Sequence, residues 1–283
     1  MAACALLWST AGLFIKLVDW NPFAIASARS VFAGLFLLAV IRKPKLTFAP
    51  AQLAAALSSA ATMLLFVFAN KETTSANAIL LQYGSPVYVA FLGIALLGER
   101  PRAEHWVAFA AVGGGMALFF LDELGSGSLI GNLAAIGSGV TLALYFVFMR
   151  KQKEGSPLES ALLAHAVAAP LAFALSFTME APRVDIASVG IVAVLGVFQI
   201  GLAAVFFAYG IKRVTAVEGV LVAVLEPIFN PVWVFLATGE LPGPNAILGG
   251  LVIVAAVSAS SLVSLRRDAV QARAAQVEGG NAC

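Results

Sequence analysis

The stretch TSANAILLQYGSPVYVAFLGIALLGERP, residues 74–101, returns 141 residues later as TAVEGVLVAVLEPIFNPVWVFLATGELP, residues 215–242. At that constant offset, and without a gap, Thr74 falls on Thr215, Leu80 on Leu221, Pro86 on Pro227 and Gly98-Glu99 on Gly239-Glu240. Pro101 falls on Pro242, and Lys71 just upstream falls on Lys212. Each copy is long enough to cross a bilayer as a helix, which needs roughly 20 residues at 1.5 Å rise each. Each also carries a proline near its middle, so the doubling extends to where the helix is interrupted.

Composition agrees that the chain lives in lipid. It is 61% hydrophobic and 11% charged over 283 residues, with a mean hydropathy of +0.95. Apolar runs predict ten helices near 2–18, 22–41, 51–69, 73–97, 104–121, 129–149, 158–179, 186–210, 215–238 and 245–265. The expected fold is therefore an all-α integral membrane protein: ten transmembrane helices as two five-helix repeats. Residues 1–124 form the first repeat, 125–266 the second, and 267–283 a tail. The first segment lacks a basic leader and reads as a retained helix, shortened at its start. Cys4 and Cys283, at the two chain ends, offer neither a disulfide framework nor a metal cluster.

Basic residues set the orientation. With the N-terminus inside, the inner loops and tail hold thirteen of the 17 Lys and Arg residues, among them Arg42, Arg100, Arg150, Arg213 and Arg266. The outer side keeps Lys16, Lys71 and Arg183, with Arg29 inside the second span. Both termini are thus expected in the cytoplasm. Five helices per repeat is an odd number, so the second repeat is inverted in the membrane. Two inverted halves around one central cavity can exchange roles, opening the cavity to one side or the other. A net charge of +2 is too small to point to nucleic acid.

The candidate site comes from polar residues in the doubled spans. Treated as continuous helices, the fourth and ninth spans each gather a narrow polar arc: Thr74, Asn77, Ser85 and Tyr88 in one, and Thr215, Glu226, Asn230 and Trp233 in the other, with Glu218 beside it. At the repeat offset Asn77 matches Glu218 and Ser85 matches Glu226. Lipid penalises such stripes, so they are expected to face protein or water. Pro86 frees the carbonyl of Gln82, Pro227 that of Ala223, and Pro231 that of Pro227. The freed carbonyls are candidate acceptors, and the three prolines are candidate hinges. Glu226 sits near the membrane centre, where a carboxylate costs about 2.5–3.5 kcal/mol to insert. It either serves a substrate or makes a structural hydrogen bond. Arg29 and His165 likewise either bind a carboxylate or satisfy an interhelical contact, the second being favoured. Gln199, Tyr145 and Trp8 are weaker wall candidates. Lys71 and Lys212 are expected to snorkel. Gly113 to Gly115 and Gly249-Gly250 are expected to be close-packing surfaces.

The segment LLGERPRAEHWVAFAAVGGGMAL (96–118) resembles the EamA domain of the drug/metabolite transporter superfamily, and TGELPGPNAILGGLVIVAAV (238–257) resembles its second copy. The likeness covers about residues 5–265, and within the family it is similar to bacterial amino acid exporters of the YddG type. The resemblance implies efflux of small metabolites across the inner membrane, with Asn77, Ser85, Tyr88, Glu226 and Asn230 at the cavity and Tyr145 and Gln199 beside it. It makes Glu99 and Glu240 loop-locking residues that do not touch substrate. The small multidrug relatives carry a carboxylate in the first helix; here that helix has no acid, which disfavours a cation–proton antiporter of that design. Basic groups are too few inside the spans for a nucleotide sugar, and a zwitterionic amino acid fits better. A multidrug exporter and a non-transporting scaffold are the alternatives. No cofactor or metal is expected, a small-molecule substrate and lipid are the expected partners, and a monomer is compatible with this arrangement. No span has an interior Asp and His165 is the one histidine within a span, so an intramembrane enzyme is disfavoured.

Overall fold

A computed structural model describes residues 1–10, 14, 17–73, 75–119, 121, 128–155, 157–238 and 243–280. Within its helices, the side chains of 70–71, 75–76, 230–231, 234, 237–238 and 268–280 lie outside the described residues. Among the described residues the chain is helical, with no strand. The helices are α1 (Ala2–Trp8), α2 (Pro22–Ile41), α3 (Pro50–Glu72), α4 (Ser75–Gln82), α5 (Ser85–Leu97), α6 (Ala103–Phe119) and α7 (Leu129–Lys151). They continue with α8 (Pro157–Ser176), α9 (Ile186–Val194), a π-helical segment (Leu195–Leu202), α10 (Ala203–Ile211), α11 (Ala216–Ala223), α12 (Leu225–Thr238) and α13 (Pro244–Gly280). Among the described residues, seven stretches are long and apolar enough to cross a membrane: Pro22–Ile41, Pro50–Ala69, Asn77–Leu97, Leu129–Lys151, Pro157–Ser176, Ile186–Ile211 and Pro244–Arg267. The chain is thus a multi-pass membrane protein.

Local chemistry explains where the helices start. Asn21 caps α2, its Oδ1 accepting the Ala24 amide at 2.8 Å with Pro22 in the first turn, where a missing N–H costs nothing. Its amide nitrogen donates to the Glu180 carbonyl at 2.8 Å and to the Ser176 carbonyl at 3.4 Å, tying the start of α2 to the end of α8 and the segment after it. Ser128 caps α7 and Asp185 caps α9 in the same way. Exposed Leu, Phe and Val side chains on most helices, such as Leu35, Phe91, Leu133 and Leu251, have their apolar solvent in lipid.

The interior is held by close helix crossings. The most extensive packing is α3 on α7, α2 on α8 and α6 on α13. Gly115 and Gly249 meet where α6 crosses α13; a Cβ on Gly249 would stand 2.5 Å from the Gly115 carbonyl oxygen. This bears out the close-packing role for Gly115 and Gly249. It corrects the expectation for Gly113 and Gly114, which have nothing within 4 Å of a side-chain position. An aromatic group of Trp8, Tyr145, Phe146 and Phe207 fills the centre, with Tyr145 stacked on Phe207 at 5.2 Å and 17°. Beyond residue 266 the helix α13 continues to Gly280.

The doubled spans are interrupted beside the prolines that the sequence places near their middles. The first breaks between Gln82 and Ser85, and the second at Val224, between Ala223 and Leu225. Gln82 and Ala223 are the same repeat position at the 141 offset. In both, the proline sits in the first turn of the following helix, because it cannot continue the preceding ladder. Pro86 and Pro227 therefore separate two short helices rather than bend one long one. Each polar arc drawn on a continuous helix is accordingly split across a break.

Candidate functional site

The two breaks face each other through one hydrogen bond. Tyr83, in the first break, donates its hydroxyl to Glu226 Oε2 at 2.8 Å, one residue before Pro227 in the second. A hydrogen bond to a charged acceptor is worth about 1.5–3 kcal/mol, so it offsets most of the cost of a midplane carboxylate. Among the described residues Arg29 of α2 makes no ion pair with Glu226. Arg29 makes one weak polar contact, from Nη2 to Met63 Sδ of α3 at 3.4 Å. Its Nε, and Nδ1 of His165, are buried without hydrogen-bond partners. The expectation that Arg29 and His165 are satisfied interhelical contacts is therefore corrected.

Other residues singled out from sequence lie in different settings. The Ser85 hydroxyl, beside the break, is fully buried and unpartnered. Tyr88 packs against the main apolar core, its hydroxyl close to Gly84 one turn back. Gln199 is on the π-helical segment; its Nε2 donates to the Trp8 carbonyl at 3.4 Å, and its Oε1 has no partner. Trp233 reaches the other half of the chain, donating from Nε1 to Ser9 Oγ at 2.7 Å. Tyr145 is 7% exposed inside the aromatic group, so it packs the core rather than lining an open wall. Asn77 hydrogen-bonds to Thr73, whose hydroxyl in turn donates to Asn132 of α7 at 2.8 Å. Glu218, its repeat counterpart, closes a capping box with Thr215. Both of these belong to the first turns of their helices. The side chains of Asn230 and Pro231 lie outside the described residues, as do the side chain of Lys71 and residues Thr74 and Glu240.

The freed carbonyl of Gln82 has a different use from the one expected. A Cβ on Gly139 of α7 would stand 2.8 Å from that oxygen. The carbonyl thus points into the space a missing side chain leaves on the neighbouring helix, and not toward an open chamber.

Glu99 follows the lock expected of it. Gly98 ends α5 in the left-handed conformation, with φ of 69°, a turn that favours glycine. That turn aims Glu99 at two donors: Arg150 Nε at 2.8 Å and the Ala216 amide at the start of α11 at 3.0 Å. Arg150 Nη1 also reaches the carbonyls of Ile211 and Lys212 at 3.0 and 2.9 Å, the open end of α10. One carboxylate and one guanidinium therefore join the ends of α5, α7, α10 and α11. Lys212 lies near the surface, with Nζ 3.3 Å from the Gly155 carbonyl.

Sequence reasoning missed Tyr83, Arg150, Thr73 with Asn132, and the π-helical segment. Tyr83 adjoins Gly84 and Pro86, a clue that a break would free its side chain. Arg150 counted there only as an inner basic residue. On the outer face, Ser30, Gly34 and His165 floor a groove between α2 and α8, ringed by exposed Val31, Leu35 and Leu38.

The model of the EamA-like transporter family matches residues 1–121 and again 129–262. The chain belongs to this family. It is similar to an uncharacterized transporter of Archaeoglobus fulgidus, 27% identical over 273 residues, covering 91% of this chain and 94% of the relative. It is also similar to the pseudopaline exporter CntI of Pseudomonas aeruginosa, 25% identical over 207 residues and 70% of each chain. A solved crystal structure shares the fold, with a TM-score of 0.79 at 21% identity over 92% of this chain and 95% of that one. The family and these relatives identify an EamA transporter rather than an enzyme.

Proposed function

We propose that this EamA protein is a secondary transporter that exports amino acids, aromatic or otherwise neutral, or similar small metabolites by alternating access. The reading rests on one observation: two helix breaks at the same repeat position are bridged at mid-span by Tyr83 and Glu226. Ten spans in two inverted repeats, 1–124 and 125–266, with 267–283 as a tail, give this contact its meaning. The packing supports that arrangement. Exchanging the halves turns α3 on α7 into α10 on α1, α3 on α8 into the π-helical segment on α2, and α4–α5 on α7 into α11–α12 on α1; all of these pairs are in contact. The pairs α2 with α8 and α6 with α13 map onto themselves and also pack.

In this mechanism the short helices on either side of each break tilt about Pro86 and Pro227, and the substrate meets Glu226, Ser85 and the flanking Tyr88, Gln199 and Trp233. Asn77, Tyr145 and Asn230 complete the proposed set, Tyr145 by packing. The protein sits in a bacterial inner membrane with both termini in the cytoplasm, as the distribution of basic residues favours. A relative that exports pseudopaline supports export of a small metabolite. The carboxylate of Glu226 equally suits an organic cation, which makes a multidrug exporter the second reading. Uptake of labelled amino acids and of organic cations into proteoliposomes, with and without a pH gradient, tests both. Saturable amino acid flux is expected; flux of cations alone would replace the first reading with the second.

A further inference from the structure

The doubled spans approach each other unequally at their two ends. Exchanging the halves turns α5 on α11 into α12 on α4. The first pair packs closely; among the described residues the second makes no comparable packing. Between the two ends Tyr83 bridges to Glu226. The spans therefore converge from their breaks toward Gly98 and Thr215, and not in the other direction. In the orientation that the basic residues favour, the converging end is the cytoplasmic one.

Packed side chains close that end. Met149 of α7, Ile211 of α10 and Ala216 of α11 are fully buried. Met1 lies against α10 and α11: a Cβ on Gly210 would stand 2.6 Å from its sulfur, and one on Gly219 3.4 Å from its terminal methyl. Cys4, one turn further along α1, is buried beneath it.

The Glu99 contact joins the halves over this layer, and its members divide unevenly between them. Glu99 belongs to the first half; Arg150 and the Ala216 amide, which receive its two oxygens, belong to the second. The second half also holds this socket in shape by itself. Arg150 is fixed by the carbonyls of Ile211 and Lys212, and the start of α11 by the capping box of Thr215 and Glu218. Glu99 lies at the far end of α5 from the break at Pro86. That lever is about 18 Å long at 1.5 Å per residue, so a tilt of about 10° about the break moves its end by about 3 Å. Such a movement parts both of the carboxylate's hydrogen bonds and leaves every bond within the socket intact.

We infer that Glu99 is the releasable bolt of a cytoplasmic gate. Seated between Arg150 and the Ala216 amide it closes the molecule to the cytoplasm; opening withdraws it with α5 while the socket stays whole. The inference rests on the alternating-access reading above and adds which contact breaks and which half keeps its partners.

Cys4 is a native reporter beneath the gate. A membrane-impermeant maleimide applied to inside-out vesicles, with the modified peptides identified by mass spectrometry, is expected to label Cys4 at least fivefold faster in Glu99→Ala than in the wild type. Applied to right-side-out vesicles, it is expected to label both proteins at the same rate. Thr215→Ala loosens the same helix start without detaching the halves, and is expected to leave Cys4 protected as in the wild type. No acceleration in Glu99→Ala, acceleration from both faces, or the same acceleration in Thr215→Ala overturns the gate. A second arm ties it shut. In a protein carrying Cys4→Ser and Cys283→Ser, Glu99→Cys and Ala216→Cys are joined by a short bifunctional thiosulfonate. Uptake of a transported amino acid into proteoliposomes is expected to fall at least tenfold and to return on reduction. Uptake undiminished by the tether overturns the gate and leaves transport standing. Absence of any amino acid flux before tethering removes the substrate reading, and the labelling of Cys4 then decides the gate on its own.

Discussion

Two groups of charges in this molecule are built on opposite plans. At the helix ends, Glu99 and Arg150 satisfy each other and also the open termini of α10 and α11. Inside the spans, by contrast, the Arg29 guanidinium and the His165 imidazole each keep a buried nitrogen with no hydrogen-bond partner. The first group sits 12% and 21% exposed at its two side chains and is closed by protein alone. The second lies where desolvation costs most and is left incomplete. The difference separates holding from binding: a saturated network gains nothing from a ligand, whereas an unsaturated one does.

Breaking the saturated group is expected to have the largest effect. Arg150→Ala removes three hydrogen bonds and leaves Glu99 with the Ala216 amide alone, at a cost of about 3–5 kcal/mol. Thermal unfolding of the purified protein in detergent checks this, and a melting temperature equal to the wild type would refute it. Next comes the seat that receives the Gln82 carbonyl. Gly139→Ala pushes a methyl to 2.8 Å from that oxygen, an overpacking worth about 1–3 kcal/mol. Gly113→Ala, where nothing lies within 4 Å, is expected to change stability by less than about 0.5 kcal/mol. Equal losses for the two glycines in the same unfolding assay would dissolve the distinction between them.

The mid-span carboxylate should respond the other way round. Glu226→Gln keeps the Tyr83 contact but deletes the charge; flux is expected to fall about tenfold or more, and stability to move by less than about 1 kcal/mol. A large stability loss with intact flux would turn Glu226 into a structural residue. The smallest effect lies outside the membrane. The Ser188 hydroxyl and amide both donate to Asp185 and hold its carboxyl below the usual carboxylate range. Because the folded value is the lower one, the cap's contribution is present above the unfolded value of about 3.9 and is lost as pH falls through the folded value. Hydrogen exchange across the first turn of α9, corrected for intrinsic rates, should show protection at pH 6 that fades at pH 3. In Asp185→Asn the difference should vanish.

Much of the scaffold could be read from the chain because lipid enforces it. Apolar runs located α2, α3, α7 and α8 to within a few residues, since each must satisfy its own backbone in hydrocarbon. Pro86 and Pro227 marked the breaks for the same reason: a proline announces a lost N–H wherever it sits. The partners of side chains were less legible. Asn77 and Glu226 look alike as intramembrane polar residues, yet one joins a helix start and the other the centre, because helix breaks re-aim whatever follows them. Tyr83 escaped notice because an unbroken helix turns it away from the polar arc. Arg150 looked like a loop charge because the termini it serves belong to elements 61 and 62 residues away.

The wide turn from Leu195 to Leu202 carries a further consequence. An i→i+5 ladder stores one surplus residue within an otherwise ordinary helix. If that surplus migrates by a turn, every residue it passes rotates by roughly 100° while the span stays hydrogen-bonded at both ends. Gln199 sits within it, so its amide can be swung between two bearings by a dislocation travelling along a single rod, with no loop and no broken end.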